Sequence, residues 1–162
     1  MSLSSLLVRD ARPDDLATIV SFNVEMARET ESKELDEKIL SRGVKIALAE
    51  PDRLRYFVAE VNGNVIGQAA LTREWSDWRN GWIWWFQSVY VAETYRRNGV
   101  FRALYSHVRT LAFSARDVIG LRLYVEHENR RAHDVYQSLG MSPGGYLVFE
   151  ELWPERFGNA SD

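Results

Sequence analysis

The sequence predicts an α/β fold with a mixed sheet, and three observations support this. Apolar residues at helical and at strand-like spacing alternate in the order strand, two helices, three strands, helix, strand, helix, strand. Asn62-Gly63 separates two apolar runs, as in a tight hairpin, so these two strands are antiparallel. The 162 residues are 46% hydrophobic, which is enough for one sizeable core. We therefore expect one domain over residues 1–162.

The first half of the chain supplies a strand, two helices and the hairpin. Pro13, followed by two aspartates, is typical of a helix start, and Pro51 ends the second helix. The expected bounds are residues 6–8 for the strand, residue 13 to the charged stretch at 29–33 for the first helix, 36–49 for the second, and 56–59 and 65–71 for the hairpin strands.

The second half of the chain alternates strands and helices. Residues 82–91 form a long, strongly β-prone run that we expect to be a central strand. Apolar residues recur at helical spacing from Val100 onward, which predicts a helix there. Gly140 fits the C-terminal cap of the last helix. The remaining expected elements are a strand at 121–125, a helix at 129–139, a closing strand at 146–152 and a loose tail at 158–162.

Composition argues against several classes of function. The formal charge of -3 leaves no excess of positive charge for binding nucleic acid. The chain has no cysteine, which excludes disulfides and thiol nucleophiles, and its three histidines lack metal-ligand spacing. No apolar run approaches the roughly 18 residues of a membrane span, and the start of the sequence does not resemble a leader. We expect a cytoplasmic protein without a metal site.

A basic loop lies between the central strand and the next helix. The amide groups of a helix's first turn attract anions, and Gly99 has no Cβ to keep a phosphate away. Arg96, Arg97 and Arg102 add positive charge. The alternative is a surface loop with solvated arginines. An isolated basic loop with one glycine is more often a loop of that kind than an anion site.

The loop reads Arg96-Arg97-Asn98-Gly99-Val100-Phe101. It resembles the cofactor signature of the GCN5-related N-acetyltransferase (GNAT) superfamily, which is Gln or Arg, two residues, Gly, one residue, then Gly or Ala. Phe101 replaces the small final residue. The resemblance extends from Leu6 to about Glu151 in element order and spacing. It implies a mostly antiparallel central sheet of about six to seven strands, about four flanking helices, and acetyl-CoA as acyl donor.

The resemblance also assigns roles to residues. Main-chain amides of the loop would hold the diphosphate, and the backbone of the central strand would pair with the pantetheine arm. The valine side chains there are explained equally well by core packing. The residues assigned to the cofactor are Val89, Tyr90, Val91, Arg96, Arg97, Asn98, Gly99, Val100, Phe101, Arg102, Asn129 and Tyr136.

The segment at residues 123–141 resembles the second part of the family pattern. Asn129 matches the asparagine that caps a helix and contacts the cofactor arm, although a simple N-cap explains it too. Tyr136 matches the tyrosine that protonates the departing thiolate, and a phenol, with a pKa near 10, is protonated at neutral pH. The alternative for Tyr136 is packing against the sheet.

The base and the acceptor site are less defined. Some relatives carry a glutamate on the central strand, where this chain has residues 84–87, Trp-Trp-Phe-Gln. Glu126 and Glu29 are therefore the candidate bases, with a solvated surface position as the alternative for each. Glu29 and Glu31, expected in a loop, are candidates to hold the charge of an amine. The candidate acceptor residues are Glu29, Trp75, Trp85 and Gln87, from a cluster of five tryptophans that could instead fill the core or an interface.

These features predict transfer of acetyl from acetyl-CoA to a primary amine of a small molecule by direct attack in a ternary complex. Two alternative functions stay open. One is a noncatalytic acyl-CoA sensor, which Phe101 and the absence of a glutamate on the central strand would suit. The other is a protein N-terminal acetyltransferase, which would need an open peptide groove. Relatives often form dimers, so a homodimer is an expectation from the resemblance alone.

Overall fold

The computed structural model describes residue 3 and residues 5–159, which fall into two compact units divided between Leu123 and Tyr124. Of the tail expected at 158–162, residues 160–162 lie outside the described residues. The first unit holds β1 (Leu6–Asp10), α1 (Leu16–Glu31), α2 (Glu37–Ala49), β2 (Arg55–Val61), β3 (Asn64–Ser76), β4 (Gly81–Val91), α3 (Val100–Ser114) and β5 (Val118–Leu123). The second unit holds α4 (Arg130–Ser138) and a short 3₁₀ turn at Pro154–Arg156.

The five strands lie in one sheet in the order β1-β2-β3-β4-β5. Neighbouring strands are antiparallel from β1 to β4, and β4 and β5 are parallel. Asn62 and Gly63 make the hairpin turn with φ angles of 52° and 79°. The predicted α/β class, the mixed sheet and the four helices are confirmed, but the predicted count of six to seven strands is wrong for the part of the chain that is described.

The closing strand predicted at 146–152 accounts for the wrong count. This segment has no regular secondary structure, and its apolar side chains are exposed, Phe149 to 91%. The residues are β-prone, but a strand also needs a partner edge, which local composition does not specify. The strand predicted at 121–125 is also displaced, because Val118 already pairs with Trp82 and the pairing ends at Leu123.

Helix α1 begins three residues later than predicted, after a 3₁₀ turn at Pro13–Asp15. It continues through the charged stretch to Glu31 and ends where Ser32 adopts a left-handed conformation with φ 51°. The Ser32 amide then donates to the carbonyls of Ala27 and Arg28, which closes the last turn. Glu29 and Glu31, predicted to lie in a loop, are therefore in the last turn of a helix.

Helices cover both faces of the sheet. Tyr56, Val58 and Ala70 pack against Ile19 of α1 and against α2, in one buried cluster. On the other face, Phe86 stacks on Tyr105 of α3, and Phe57 meets His107 edge to face. One face of the sheet is therefore covered by α1 and α2, and the opposite face is covered by α3.

A partly buried ion network joins β1, β2 and the start of α1. Arg9 contacts Asp15 and Glu60, each at 2.8 Å, and the Asp15 carboxylate also accepts from the Arg12 amide. Burial alone would raise the pKa of Asp15, but the hydrogen bonds from Arg9 and Arg12 outweigh burial, so its pKa lies below the usual 3.8. Ionised Asp15 therefore stabilises the fold.

We expect Asp15→Asn to reduce the free energy of unfolding by about 2 kcal/mol at pH 7, because Arg9 loses one of its two carboxylate partners. The folded pKa of Asp15 is lowered, so its contribution is complete above pH 3.8 and is lost as the pH falls through the folded value. Urea unfolding at neutral and acid pH measures this. Asp14→Asn is the control, since Asp14 is exposed; equal losses in both variants would contradict the prediction.

Candidate functional site

The loop before α3 presents a row of main-chain amides. Gly99 is the residue before the helix, with φ 80°, and Arg97 also has a positive φ of 65°. The first helical bond is donated by the Ala103 amide to the Gly99 carbonyl. Among the described residues, the amides that donate to no protein acceptor include those of Arg97, Asn98, Gly99, Val100 and Arg102. Successive free amides of this kind form an anion-binding concavity.

Gly99 has room for a larger group on its Cα. A Cβ at Gly99 would meet no atom of the described residues within 4 Å. The Asn98 side chain donates to the Arg96 carbonyl at 3.0 Å and so supports the loop from within. We call the main-chain segment from Arg97 to Arg102 the amide cradle.

The side chain of Arg96 bonds to protein groups, although its charge suggests that it binds an anion. Its Nε donates to the Val91 carbonyl at 2.8 Å, and its Nη2 contacts both carboxylate oxygens of Glu29, at 3.0 and 2.7 Å. The Tyr90 hydroxyl donates to the same carboxylate at 3.2 Å. Arg96 thus ties the loop to β4 and α1, and its charge is already paired. The exposed Arg97 and Arg102 supply the remaining positive charge at the cradle.

Strand β4 has a free edge just before the loop. Its parallel pairing with β5 runs from Trp82 to Phe86, whereas its pairing with β3 continues to Val91. In the described sheet, Tyr90 and Val91 therefore have a strand partner on one side only. Free backbone groups at a strand edge can pair with an extended ligand.

A β-bulge lies at the start of this free edge. Gln68 pairs with Tyr90 and Ala70 with Gln87, so Ser88 and Val89 face one residue of β3. Ser88 has a φ of 49°, a conformation that costs energy in a residue other than glycine. Such strain is found where a backbone is held in a functional geometry.

Buried polar side chains hold the bulge in place. The fully buried Gln68 donates to the Ser88 carbonyl at 3.1 Å, and its own carbonyl oxygen has no described partner. The Tyr56 hydroxyl accepts from the Asn23 side chain at 3.4 Å. Burial raises the pKa of Tyr56, and the effects of Asn23 and Ser88, which lower this pKa, are smaller. Sequence reasoning missed this network, although a glutamine inside the apolar run at 65–71 was a visible signal.

The second unit contains Asn129 and Tyr136. The Asn129 side chain accepts from the Ala132 amide at 3.1 Å, so the N-cap interpretation is confirmed. Tyr136 is half-buried in α4, and burial raises the pKa of its hydroxyl. The exposed Glu126 accepts from the Glu128 amide at 2.9 Å, within its own turn. The contact of Asn129 with a cofactor and the base role of Glu126 stay predictions.

The candidate acceptor residues on the sheet divide between its two faces. Trp85 and Gln87 lie on one face, where Gln87 donates to Thr72 at 2.8 Å. Trp75 pairs with Trp82 on the other face, with ring centroids 5.0 Å apart. The sheet therefore does not bring Trp75 and Trp85 together on one face, because the side chains of successive cross-strand pairs lie on alternate faces.

The sequence profile of the acetyltransferase (GNAT) family matches residues 16–141, which include the cradle, the bulge and Tyr136. The chain belongs to the GNAT acetyltransferase family. No curated protein sequence matches it.

Solved structures agree with this family. A possible acetyltransferase from Clostridium difficile 630 is 43% identical, with a TM-score of 0.85 and coverage of 93% of this chain and 99% of that one. A predicted acetyltransferase from Clostridium acetobutylicum, solved with acetyl-CoA, is 22% identical, with a TM-score of 0.71 and coverage of 90% and 96%. A GCN5-related N-acetyltransferase from Ralstonia eutropha JMP134 is 18% identical, with a TM-score of 0.73 and coverage of 91% and 99%. The last two support the fold.

The described part of this GNAT protein has neither a membrane-spanning helix nor a metal cluster. None of the helices there is long and apolar enough to cross a membrane. In the same residues, no three or more His, Asp or Glu side chains come together in a way that could hold a metal ion.

Proposed function

We propose that this GNAT protein transfers the acetyl group of acetyl-CoA to a primary amine of a small molecule, by direct attack in a ternary complex. The observation that carries the proposal is the amide cradle, where five described amides at the positive end of α3 donate to no protein acceptor. A diphosphate is the group that such a site suits best, because several amides can donate to its oxygens at once. The fold is shared with a Clostridium acetobutylicum protein solved with acetyl-CoA.

The residues present suit the other parts of the donor. Exposed Arg97 and Arg102 would add charge beside the diphosphate. The free edge of β4 at Tyr90 and Val91 offers backbone groups to the amides of a pantetheine arm. Phe101 departs from the family signature, but the first turn of α3 keeps its helical geometry there.

The chemistry requires three proton transfers. An acceptor that arrives as an ammonium first gives a proton to a carboxylate, because only the neutral nitrogen can form a bond to the thioester carbon. As the carbon–sulfur bond then breaks, the nitrogen gives up a second proton to water and the Tyr136 hydroxyl donates its proton to the leaving thiolate. Because burial raises the pKa of Tyr136, its hydroxyl holds its proton at neutral pH.

Two carboxylates remain candidates for the acceptor side, Glu29 and Glu126. Glu29 is the stronger one, because it lies in reach of Arg96 and Tyr90 beside the cradle. An approaching ammonium group would share the Glu29 carboxylate with Arg96. Glu126 is exposed and bound to its own turn.

We expect Glu29→Gln to raise the KM for the amine about tenfold, because one charge-assisted hydrogen bond is lost at a partly exposed site. The KM for acetyl-CoA should change less. Steady-state kinetics with each substrate varied in turn measures both. Glu31→Gln makes the same charge change two residues away, where the carboxylate pairs with Lys33 at 2.5 Å. Equal effects of the two variants would count against Glu29.

The proposal as a whole is tested by incubating the purified chain with acetyl-CoA and a panel of small amines and short peptides. The release of free thiol and the appearance of acetylated masses are measured together. Acetylated small amines are the expected result. Acetyl-CoA binding without any product would favour a sensor, and acetylation of peptides alone would favour an N-terminal acetyltransferase.

A further inference from the structure

Glu74, Trp85 and Arg122 form a cluster on three neighbouring strands. The Glu74 carboxylate accepts from the Trp85 indole nitrogen at 2.8 Å and from Arg122 Nη1 at 2.9 Å. The Arg122 guanidinium carbon lies 5.8 Å from the centre of the Trp85 ring. The cluster is not buried, since the side chains of Arg122 and Glu74 are 33% and 45% exposed. It is therefore a fixed, charged surface that a ligand can reach.

Arg122 has hydrogen-bond donors that its contact with Glu74 does not use. Its contact with Glu74 uses one nitrogen, and among the described residues its Nε and Nη2 donate to no protein acceptor. Glu74 and the Trp85 ring limit the rotation of the guanidinium, so little side-chain entropy is lost when a further group binds. Two adjacent N–H donors of a planar fork match the two oxygens of a carboxylate.

The cluster shares a face of the sheet with Glu29. Trp85 and Gln87 are on the face of Ala70, which packs against α1 and α2. Tyr90, which contacts Glu29, packs against Phe22 of α1 on that face, with ring centroids 5.0 Å apart. Along β4, Trp85 precedes the bulge at Ser88 by three residues, or about 10 Å. The Arg122 guanidinium, with two nitrogens that donate to no described acceptor, and the Glu29 carboxylate thus lie on either side of the bulge.

From this arrangement we infer that Arg122 binds a carboxylate of the acceptor. The inference rests on the proposed function, in which the amine reacts beside the bulge. An acceptor that carries both groups would place its carboxylate on Arg122 and its amine toward Glu29. Glu74 acts as a positioning residue that orients Arg122. The substrate class is therefore an amino carboxylate rather than a simple amine.

The test compares 6-aminohexanoate with 6-aminohexanamide, which share the amine and differ in the carboxylate. Wild type should acetylate the carboxylate compound with the higher kcat/KM. Arg122→Gln should raise the KM for 6-aminohexanoate about tenfold to a hundredfold and leave the amide compound and acetyl-CoA unchanged. Arg122→Lys should recover part of the loss.

Arg73→Gln is the matched control. Arg73 also lies on this sheet, near Trp82, but on the opposite face, where it pairs with the exposed Asp52. Equal kcat/KM for the two compounds in wild type, or equal effects of the Arg122 and Arg73 variants, would overturn the inference and leave the proposed function intact. No acetylation and no acetyl-CoA binding in wild type would overturn both. Thermal melting identifies a variant that fails to fold. If Arg122→Gln fails to fold, the comparison of the two compounds is made with Arg122→Lys.

Discussion

Replacing Tyr136 with phenylalanine is expected to lower kcat by about a hundredfold, while the Kd for acetyl-CoA stays close to that of wild type. The substitution removes one oxygen atom and keeps the ring that packs in α4. Without the hydroxyl, the thiolate must leave unprotonated or take its proton from water. Steady-state thiol release measures kcat, and titration calorimetry measures the Kd.

Tyr146→Phe is the control for this prediction, because it removes the same atom in the same unit at a side chain that is 78% exposed. The pH profile adds a second readout. Burial raises the pKa of Tyr136, so a loss of activity caused by its ionisation should have its midpoint above the usual 10.0. An unchanged kcat in Tyr136→Phe would show that Tyr136 is not the acid that protonates the thiolate.

Gly99→Asp is expected to weaken acetyl-CoA binding by about a hundredfold. The new carboxylate would project into the open space before the amide cradle, where it would repel the diphosphate. Aspartate tolerates the left-handed conformation better than most residues, so the backbone should remain close to its present φ of 80°. The Kd from calorimetry is the direct measurement.

The chain offers a matched control for Gly99 in the hairpin between β2 and β3. Gly63 has a φ of 79°, and a Cβ there would also meet no atom within 4 Å. Gly63→Asp therefore imposes about the same backbone cost, roughly 1 kcal/mol, away from the cradle. Both variants should lose similar stability, and only Gly99→Asp should lose affinity. A similar affinity in both variants would mean that the cradle does not hold the diphosphate.

Much of the fold could be predicted because its signals are local. Asn62-Gly63 specifies a hairpin, Asp36 caps α2 through the amides of Lys38 and Ile39, and Asn129 caps α4. The cradle was predictable for the same reason, since a glycine before a helix and the free amides of its first turn follow from a short stretch of sequence. The family resemblance added the mostly antiparallel character of the sheet and the number of helices.

Features that depend on distant partners were not predictable. Arg96 was expected to lend its charge to an anion, but Glu29, 67 positions away, pairs with it. Trp75 and Trp85 looked like one aromatic cluster until the register of β3 against β4 placed them on opposite faces. The segment at 146–152 has the composition of a strand and no described strand partner. In each case the deciding contact is made by tertiary structure, which composition and spacing do not contain.

The proposed function requires that the free main-chain amides of Arg97, Asn98, Gly99, Val100 and Arg102 bind the diphosphate of the acyl donor. Titration calorimetry of the wild-type chain with acetyl-CoA and with S-acetylpantetheine, which lacks the diphosphate, tests it most directly. We expect binding of acetyl-CoA and at least about hundredfold weaker binding of S-acetylpantetheine. Equal affinity for the two compounds, or no affinity of a folded sample for acetyl-CoA, would contradict it.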